Sequence, residues 1–271
     1  MNFIAFAADH GLIIDRLIVG KWVRCSTIDH PRKMNGSYIY NGDDGAIKNW
    51  ATHEKAIYWR DKEQNVDREV IMRSIKKSDD ERKLRQARAA KKAGWIMHHA
   101  KCDHHPYLAA KGFPTEKGWV WEGKLVVPMR VDGHLVGCQL IDQDGGKKFL
   151  YGQQTKGATA RIDAKGVNIL CEGYATGLSI RAALKHAGVR YSIIVCFSAG
   201  NMIEVAKQYP DCFVVADHDE SGTGQRTAKK IGRPFWKSPV EGYDANDHMR
   251  KFGVENLSKE ITSLLQKFHA L

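Results

Sequence analysis

From residue 166 onward the sequence alternates apolar runs of strand length with longer, mixed stretches, and this alternation limits the fold more than any other feature. Val167–Cys171, Tyr191–Phe197 and Cys212–Ala216 read as strands, and Ala175–Ala187, Asn201–Gln208 and Ser221–Ile231 as helices. Two further helices, near Asn246–Phe252 and Glu255–Phe268, close the region. Strands joined through helices run parallel, because a crossover of that length returns the chain to the same edge direction. The expected result is an α/β region with a parallel sheet covered by helices on its faces.

Two of these strands end on acids. Asn168–Cys171 runs straight into Glu172-Gly173, and Cys212–Ala216 into Asp217-His218-Asp219. Ligands of open α/β sheets gather at the carboxyl ends of the strands. The Asp-x-Asp alternation sets two carboxylates near one another, and Gly173 lets the chain turn sharply after Glu172. Carboxylates at such a place offer hard oxygen ligands to Mg²⁺ or Mn²⁺, ions that keep several waters and bridge phosphates. Each piece alone has a plainer explanation, since Glu-Gly is a common loop start and Asp caps helices and makes turns. Together, at two strand ends with a βα unit between them, they point to chemistry. Ser221-Gly222-Thr223-Gly224 then opens a helix whose N–H groups can hold a phosphate. No Gly-Lys-Ser/Thr follows, so there is no sign of a helicase motor.

Lys and Arg outnumber Asp and Glu by 42 to 31, for a net charge of +11. That excess favours a polyanionic partner, nucleic acid above all; a basic surface without a partner is the bland alternative. None of the six cysteines forms a C-x-x-C pair, so reduced thiols and a cytoplasmic location are expected. No run approaches the ~20 apolar residues of a membrane span, and Met1–Asp9 lacks a basic leader, so no membrane partner is expected.

The remaining chain divides by composition. Residues 1–60 carry short alternating stretches at Trp22–Cys25, Ser37–Tyr40 and Ile47–Trp50, separated by Asn-Gly turns, and read as a small β module. Its Trp22, Arg24, Tyr38 and Lys48 interleave aromatic and basic side chains, which suits a single strand held by stacking and charge; aromatics that merely fill a thin core are the alternative. Residues 61–103 are dense in charge and poor in apolar side chains, so they read as a charged helical linker. Residues 104–165 hold a short helix from His105 to Gly112 and a hairpin of Lys124–Arg130 with His134–Asp142 around Asp132-Gly133. A second turn then leads into Lys147–Leu150.

Leu170-Cys171-Glu172-Gly173-Tyr174-Ala175-Thr176 and Val214-Val215-Ala216-Asp217-His218-Asp219 resemble the two acidic motifs of the Toprim domain, shared by bacterial-type primases, topoisomerases and some nucleases. The segment from His105-Pro106-Tyr107-Leu108 through Leu125–Pro128 and Gly137–Asp142 to Gly146–Gly152 is similar to the DnaG-type primase core of phage and plasmid primases. The resemblance implies a Rossmann-like Toprim sheet over 166–271, preceded by a mixed α+β primase subdomain over 104–165, so that the whole is α+β. It implies catalytic and metal-binding roles for Glu172, Asp217 and Asp219. It adds Asp244 and Asp247, in Glu241–Asp247, as further metal ligands, although Asp244 could equally cap the helix that follows. Lys148 with its neighbour Lys147, together with Lys156 and Arg130, would meet phosphates as positioning contacts.

Primases of this kind usually begin with a zinc ribbon. Here residues 1–60 hold only Cys25, His10, His30 and His53 as candidate ligands, too few of the right kind for a closed site, so zinc is not expected. A cluster of His98, His99, Cys102, His104 and His105 has possible ligand spacing, but helix and turn histidines are commoner. The resemblance implies a DNA primase that uses a single-stranded DNA template and ribonucleoside triphosphates in a bacterial host cytoplasm, with a separate replicative helicase as a candidate partner. A Toprim nuclease and a non-enzymatic single-stranded DNA-binding protein are the rival readings.

Overall fold

The computed structural model describes residues 1–61, 68–163 and 165–269. The chain divides into two compact units, Met1–Leu84 and Arg85–Leu271. Among the described residues no helix is long and apolar enough to cross a membrane.

The first unit opens with α1 (Phe3–Asp9), capped by the Asn2 side chain. A five-stranded antiparallel meander follows: β1 (Leu12–Ile13), β2 (Val23–Thr27), β3 (Gly36–Tyr40), β4 (Asp44–Asn49) and β5 (Ile57–Arg60). Register explains how the strands share their side chains. Val23 lies opposite Tyr38, and Tyr38 opposite Ile47; one residue along, Arg24 lies opposite Ser37, and Ser37 opposite Lys48. Because neighbours on a strand point to opposite faces, the first row turns inward and the second outward. Tyr38 is therefore a core residue, 1% exposed, packed with Phe3, Leu12, Cys25, Ile47 and Trp59. Its hydroxyl donates to the Arg16 carbonyl at 2.7 Å and accepts from the Ile18 N–H at 3.1 Å.

The expectation that Tyr38 stacks on a nucleic acid is thus corrected, while Arg24 and Lys48 do share an outer face. Both cations lie over the Trp50 ring, at 4.9 and 4.4 Å from its centroid. Trp22 and Trp50 stay about half exposed. Tyr38→Ala is expected to cost about 3–5 kcal/mol, the range for emptying a large aromatic site. Trp50→Ala should cost under about 1 kcal/mol, since its cation contacts lie at the surface. Denaturant unfolding followed by tryptophan fluorescence distinguishes the two, and equal losses would mean that the outer face also carries the fold.

Helix α2 (Arg68–His99) links the compact regions. Its later half is not a bare linker: Ala89, Ala93 and Ile96, spaced to share one helical face, are buried against Val126, Cys138 and Leu150. Small alanines lower the apparent hydrophobicity of this stretch, which is why composition alone reads it as solvent-exposed. The sheet beneath it contains β6 (Lys101–His104), β7 (Lys117–Trp121), β8 (Lys124–Val131), β9 (His134–Ile141) and β10 (Lys147–Phe149), in sequential antiparallel order, with α3 (Pro106–Ala110) between β6 and β7. The hairpin around Asp132-Gly133 pairs as the sequence suggests, with an irregularity at Met129/Arg130.

The last region holds β11 (Ala160–Ile162), β12 (Val167–Cys171), α4 (Tyr174–His186), β13 (Tyr191–Val195), α5 (Ala199–Ala206), β14 (Phe213–Ala216), α6 (Thr223–Ile231), β15 (Phe235–Lys237), α7 (Ala245–Phe252) and α8 (Val254–His269). The sheet order is β11-β13-β12-β14-β15, with β12, β13, β14 and β15 parallel and β11 antiparallel at one edge. Ile169, Cys171, Ile193, Val195, Phe213 and Val215 face α4 and α8, whereas Leu170, Ile194, Cys196, Val214 and Ala216 face α5 and α6. Both faces are buried, which is why these strands read as unbroken apolar runs. Chain order turns back at β12: β13 lies on one side of it and β14 on the other. That is a topological switch point, where a crevice opens at the strand ends.

Candidate active site

The crevice at the β12–β14 switch receives the acids. Glu172 follows β12 directly and Asp217 follows β14 directly, so adjacent parallel strands deliver them to the same edge. Around Asp217 stand Asp244, Glu172 and Asp219, in that order of electrostatic effect. Burial first, and these three carboxylates next, push the Asp217 carboxyl up to about 7, against a smaller opposing pull from Lys147. Its Oδ1 is buried and has no hydrogen-bond partner. Burial also raises Glu172; Lys147 and the Ala199 N–H oppose that rise, while Asp219 adds to it.

Asp219 is held differently. It is partly buried, which would raise its carboxyl, but hydrogen bonds outweigh burial and hold it below the usual range. Its Oδ1 accepts from the Thr223 N–H at 3.0 Å and from the Ser221 hydroxyl, and its Oδ2 accepts from the Gly224 N–H at 3.3 Å. The N–H groups at the start of α6, expected to be free for a phosphate, are therefore already taken by this carboxylate, the nearest anion. Gly224 is required here, since a Cβ would come within 2.1 Å of the Asp217 carbonyl oxygen. His218, between the two aspartates, places Nδ1 2.8 Å from the Ser238 carbonyl oxygen.

Asp244 combines both roles that its position suggested. It caps α7 by accepting the Asp247 N–H at 2.8 Å, and its other oxygen accepts from the Thr176 hydroxyl at 3.3 Å. In the same pose it is the carboxylate with the largest effect on Asp217. Asp247 meets the group through its backbone N–H, which donates to Asp244.

The preceding sheet supplies the positive side. On β10, Lys147 and Phe149 share one face and Lys148 takes the other. Lys147 acts on Glu172 and Asp217, whereas Lys148 acts on Asp142, which pairs with Lys124. The cation at the carboxylates is thus Lys147, and Lys148 faces elsewhere. Phe149 meets the edge of Phe197, with ring centroids 6.2 Å apart. Lys156 is exposed and lies 3.8 Å from Glu204, and Arg130 donates to the Gly133 carbonyl.

Phe197, Ala199 and Thr176 are site residues that the sequence reading missed. Phe197 adopts a left-handed φ of 66°, uncommon for a bulky residue, and its N–H donates to the Glu172 carbonyl at 2.9 Å. This turn starts α5 so that the Ala199 N–H reaches the Glu172 carboxylate. The one available sequence signal was the position of Phe197-Ser198-Ala199-Gly200 at a third strand end.

Four carboxylates with one orphaned, buried oxygen fit a hard divalent cation. Among the described residues no group of three or more His, Cys, Asp or Glu side chains is drawn together closely enough to hold a metal ion by itself. Mg²⁺ needs only one or two carboxylates directly and completes its shell with water and phosphate oxygens. In the His98–His105 cluster, His99 lies against Trp95 and buried His105 caps α3 by accepting the Tyr107 N–H.

Residues 167–255 match the family model described as a Toprim domain, a span that begins with β12 and includes all four clustered carboxylates. The chain contains a Toprim domain. Toprim domains have a Rossmann-like α/β fold, occur in primases, nucleases and topoisomerases, and generally bind Mg²⁺. The Toprim match points to an enzyme of nucleic-acid metabolism and leaves residues 1–166 outside its span.

Proposed function

We propose that this Toprim protein is a DNA primase, which synthesises short RNA on a single-stranded DNA template from ribonucleoside triphosphates. The observation that carries this reading is the electrostatic pull of Lys147, from the sheet preceding the Toprim domain, on Glu172 and Asp217 inside it. Transferring a nucleotide from a triphosphate calls for both charges, carboxylates to hold metal and a cation to hold phosphate. Asp217, Asp219 and Asp244 would hold Mg²⁺ or Mn²⁺, which would offset the charge of the triphosphate and ease in-line attack by a 3′-oxygen. Lys147 orients a phosphate. Glu172, its carboxyl raised by burial, holds or accepts a proton close to the reacting oxygen. Arg24, Lys48, Trp50 and Trp22 offer the template an outer face of charge and stacking surface.

The rival reading, a Toprim nuclease, would use the same carboxylates. Incubation with single-stranded DNA, labelled ribonucleotides and Mg²⁺ or Mn²⁺ separates the two. Template-dependent RNA is the expected product. Shortened DNA would replace this reading with the nuclease, and binding without either product would replace it with a non-catalytic DNA-binding protein. Glu172→Gln should lower synthesis by about a hundredfold or more with unchanged template affinity, because the shape stays while the proton site is lost. Equal losses of binding and synthesis would make Glu172 a structural residue.

A further inference from the structure

The later half of α2 presents a surface that the carboxylate site does not use. No acidic residue occurs between Glu81 and Asp103, while Arg88, Lys91, Lys92 and Lys101 fall within that interval. With Ala89, Ala93 and Ile96 buried, the surface of the helix beside that stripe exposes Arg88, Lys91, Lys92, Trp95, His98 and His99. Trp95 keeps 52% of its surface open. The His99 ring lies 4.1 Å from it at an interplanar angle of 30°, held by a 2.8 Å contact from His99 Nδ1 to the Trp95 carbonyl oxygen. Trp121, on β7, meets Trp95 edge-on at 5.9 Å.

Trp95 lies outside the buried stripe of Ala89, Ala93 and Ile96. We propose that this face of α2 is a docking surface for single-stranded nucleic acid, built from Arg88, Lys91, Lys92, Trp95 and His99. The cations would meet phosphates, and the Trp95–His99 stack would extend by one unpaired base. From Arg88 to His99 the face runs roughly 16 Å, enough for several nucleotides of a stacked strand. An acidic protein would match the charge but leave the rings unused, and a duplex keeps its base faces covered. The inference shares a nucleic-acid partner with the proposed function but needs neither metal nor catalysis.

The test uses the full chain in EDTA without nucleotides, with a short fluorescent oligothymidylate followed by anisotropy. An Arg24→Glu/Lys48→Glu background silences the outer face of the β module. Trp95→Ala is expected to weaken binding about fivefold or more, and Trp95→Phe to restore most of it. Lys91→Glu/Lys92→Glu should flatten the slope of log affinity against log salt by about 1.4. Ultraviolet cross-linking should place thymidine adducts within residues 88–99. Wild-type affinity of Trp95→Ala, or adducts only outside that segment, would overturn the proposal. Equal losses for duplex DNA or for polyglutamate would replace it with a charge-only surface. These outcomes hold whether or not the protein makes RNA, so failure of the primase reading is seen separately in the synthesis assay.

Discussion

Asp219→Asn is expected to lower metal-dependent nucleotidyl transfer by about a thousandfold while leaving the fold intact. The choice of Asn matters, because the Asp219 carboxylate also binds the Ser221 hydroxyl and the Thr223 and Gly224 N–H groups at the start of α6. Asparagine keeps one acceptor oxygen for the Thr223 N–H and the Ser221 hydroxyl and gives up only the longer bond from the Gly224 N–H, whereas alanine would lose all three, about 1 kcal/mol or more, and blur the result. What asparagine lacks is the charge that a divalent ion needs. Single-turnover incorporation of a labelled ribonucleotide, alongside a thermal melt, gives both readings. A folded Asp219→Asn protein with wild-type synthesis would remove Asp219 from the chemistry.

Asp217→Asn is expected to make the metal-free protein more stable. The Asp217 carboxyl is pushed up to about 7 from an ordinary 3.8, mainly by burial and then by its carboxylate neighbours. A folded value above the unfolded one means that the folded state binds the proton more tightly. Stability then falls as pH rises through the interval from 3.8 to about 7, and the loss is complete above it. The full shift corresponds to about 4 kcal/mol, and relaxation and screening reduce the expected gain from the neutral variant to roughly 1–3 kcal/mol at pH 8. Near pH 4 the variant and the wild type should converge. Mg²⁺ should raise the melting temperature of the wild type at pH 8 and leave that of Asp217→Asn nearly unchanged, since binding to the folded state alone stabilises it. Melts in EDTA and in Mg²⁺ across this pH range check each part. A variant less stable than the wild type at pH 8 would show that Asp217 is not held under charge repulsion.

Much of the catalytic region is legible in the sequence because its physics is local. The apolar runs of β12, β13 and β14 mark strands buried on both faces, and the acids that end β12 and β14 stand where strand ends meet. Asp244 is named in the sequence both as a metal ligand and as a helix cap, and the approach of α7 to α4 lets it act on Asp217 and accept from Thr176 while it caps α7. The exchange of Lys148 for Lys147 was a question of strand parity, and a one-residue choice reverses the face. Tyr38 failed for the same reason: its composition fits a stacking face, but its row in the register points inward. The α2 surface was hidden because alanines supply its buried side. Phe197 and Ala199 could not be found by residue type, as their contribution is a backbone turn and an N–H.

The central claim is that Asp217 and its neighbours form a divalent-metal site, and Mn²⁺ binding measured by electron paramagnetic resonance tests it most directly. Free Mn²⁺ gives a signal that falls as the ion is bound, with no need for template or turnover. The wild-type protein is predicted to take up Mn²⁺, with Mg²⁺ competing for the same site, and Asp217→Asn to bind it at least about tenfold more weakly. Equal Mn²⁺ binding by the wild type and by folded Asp217→Asn would contradict the assignment.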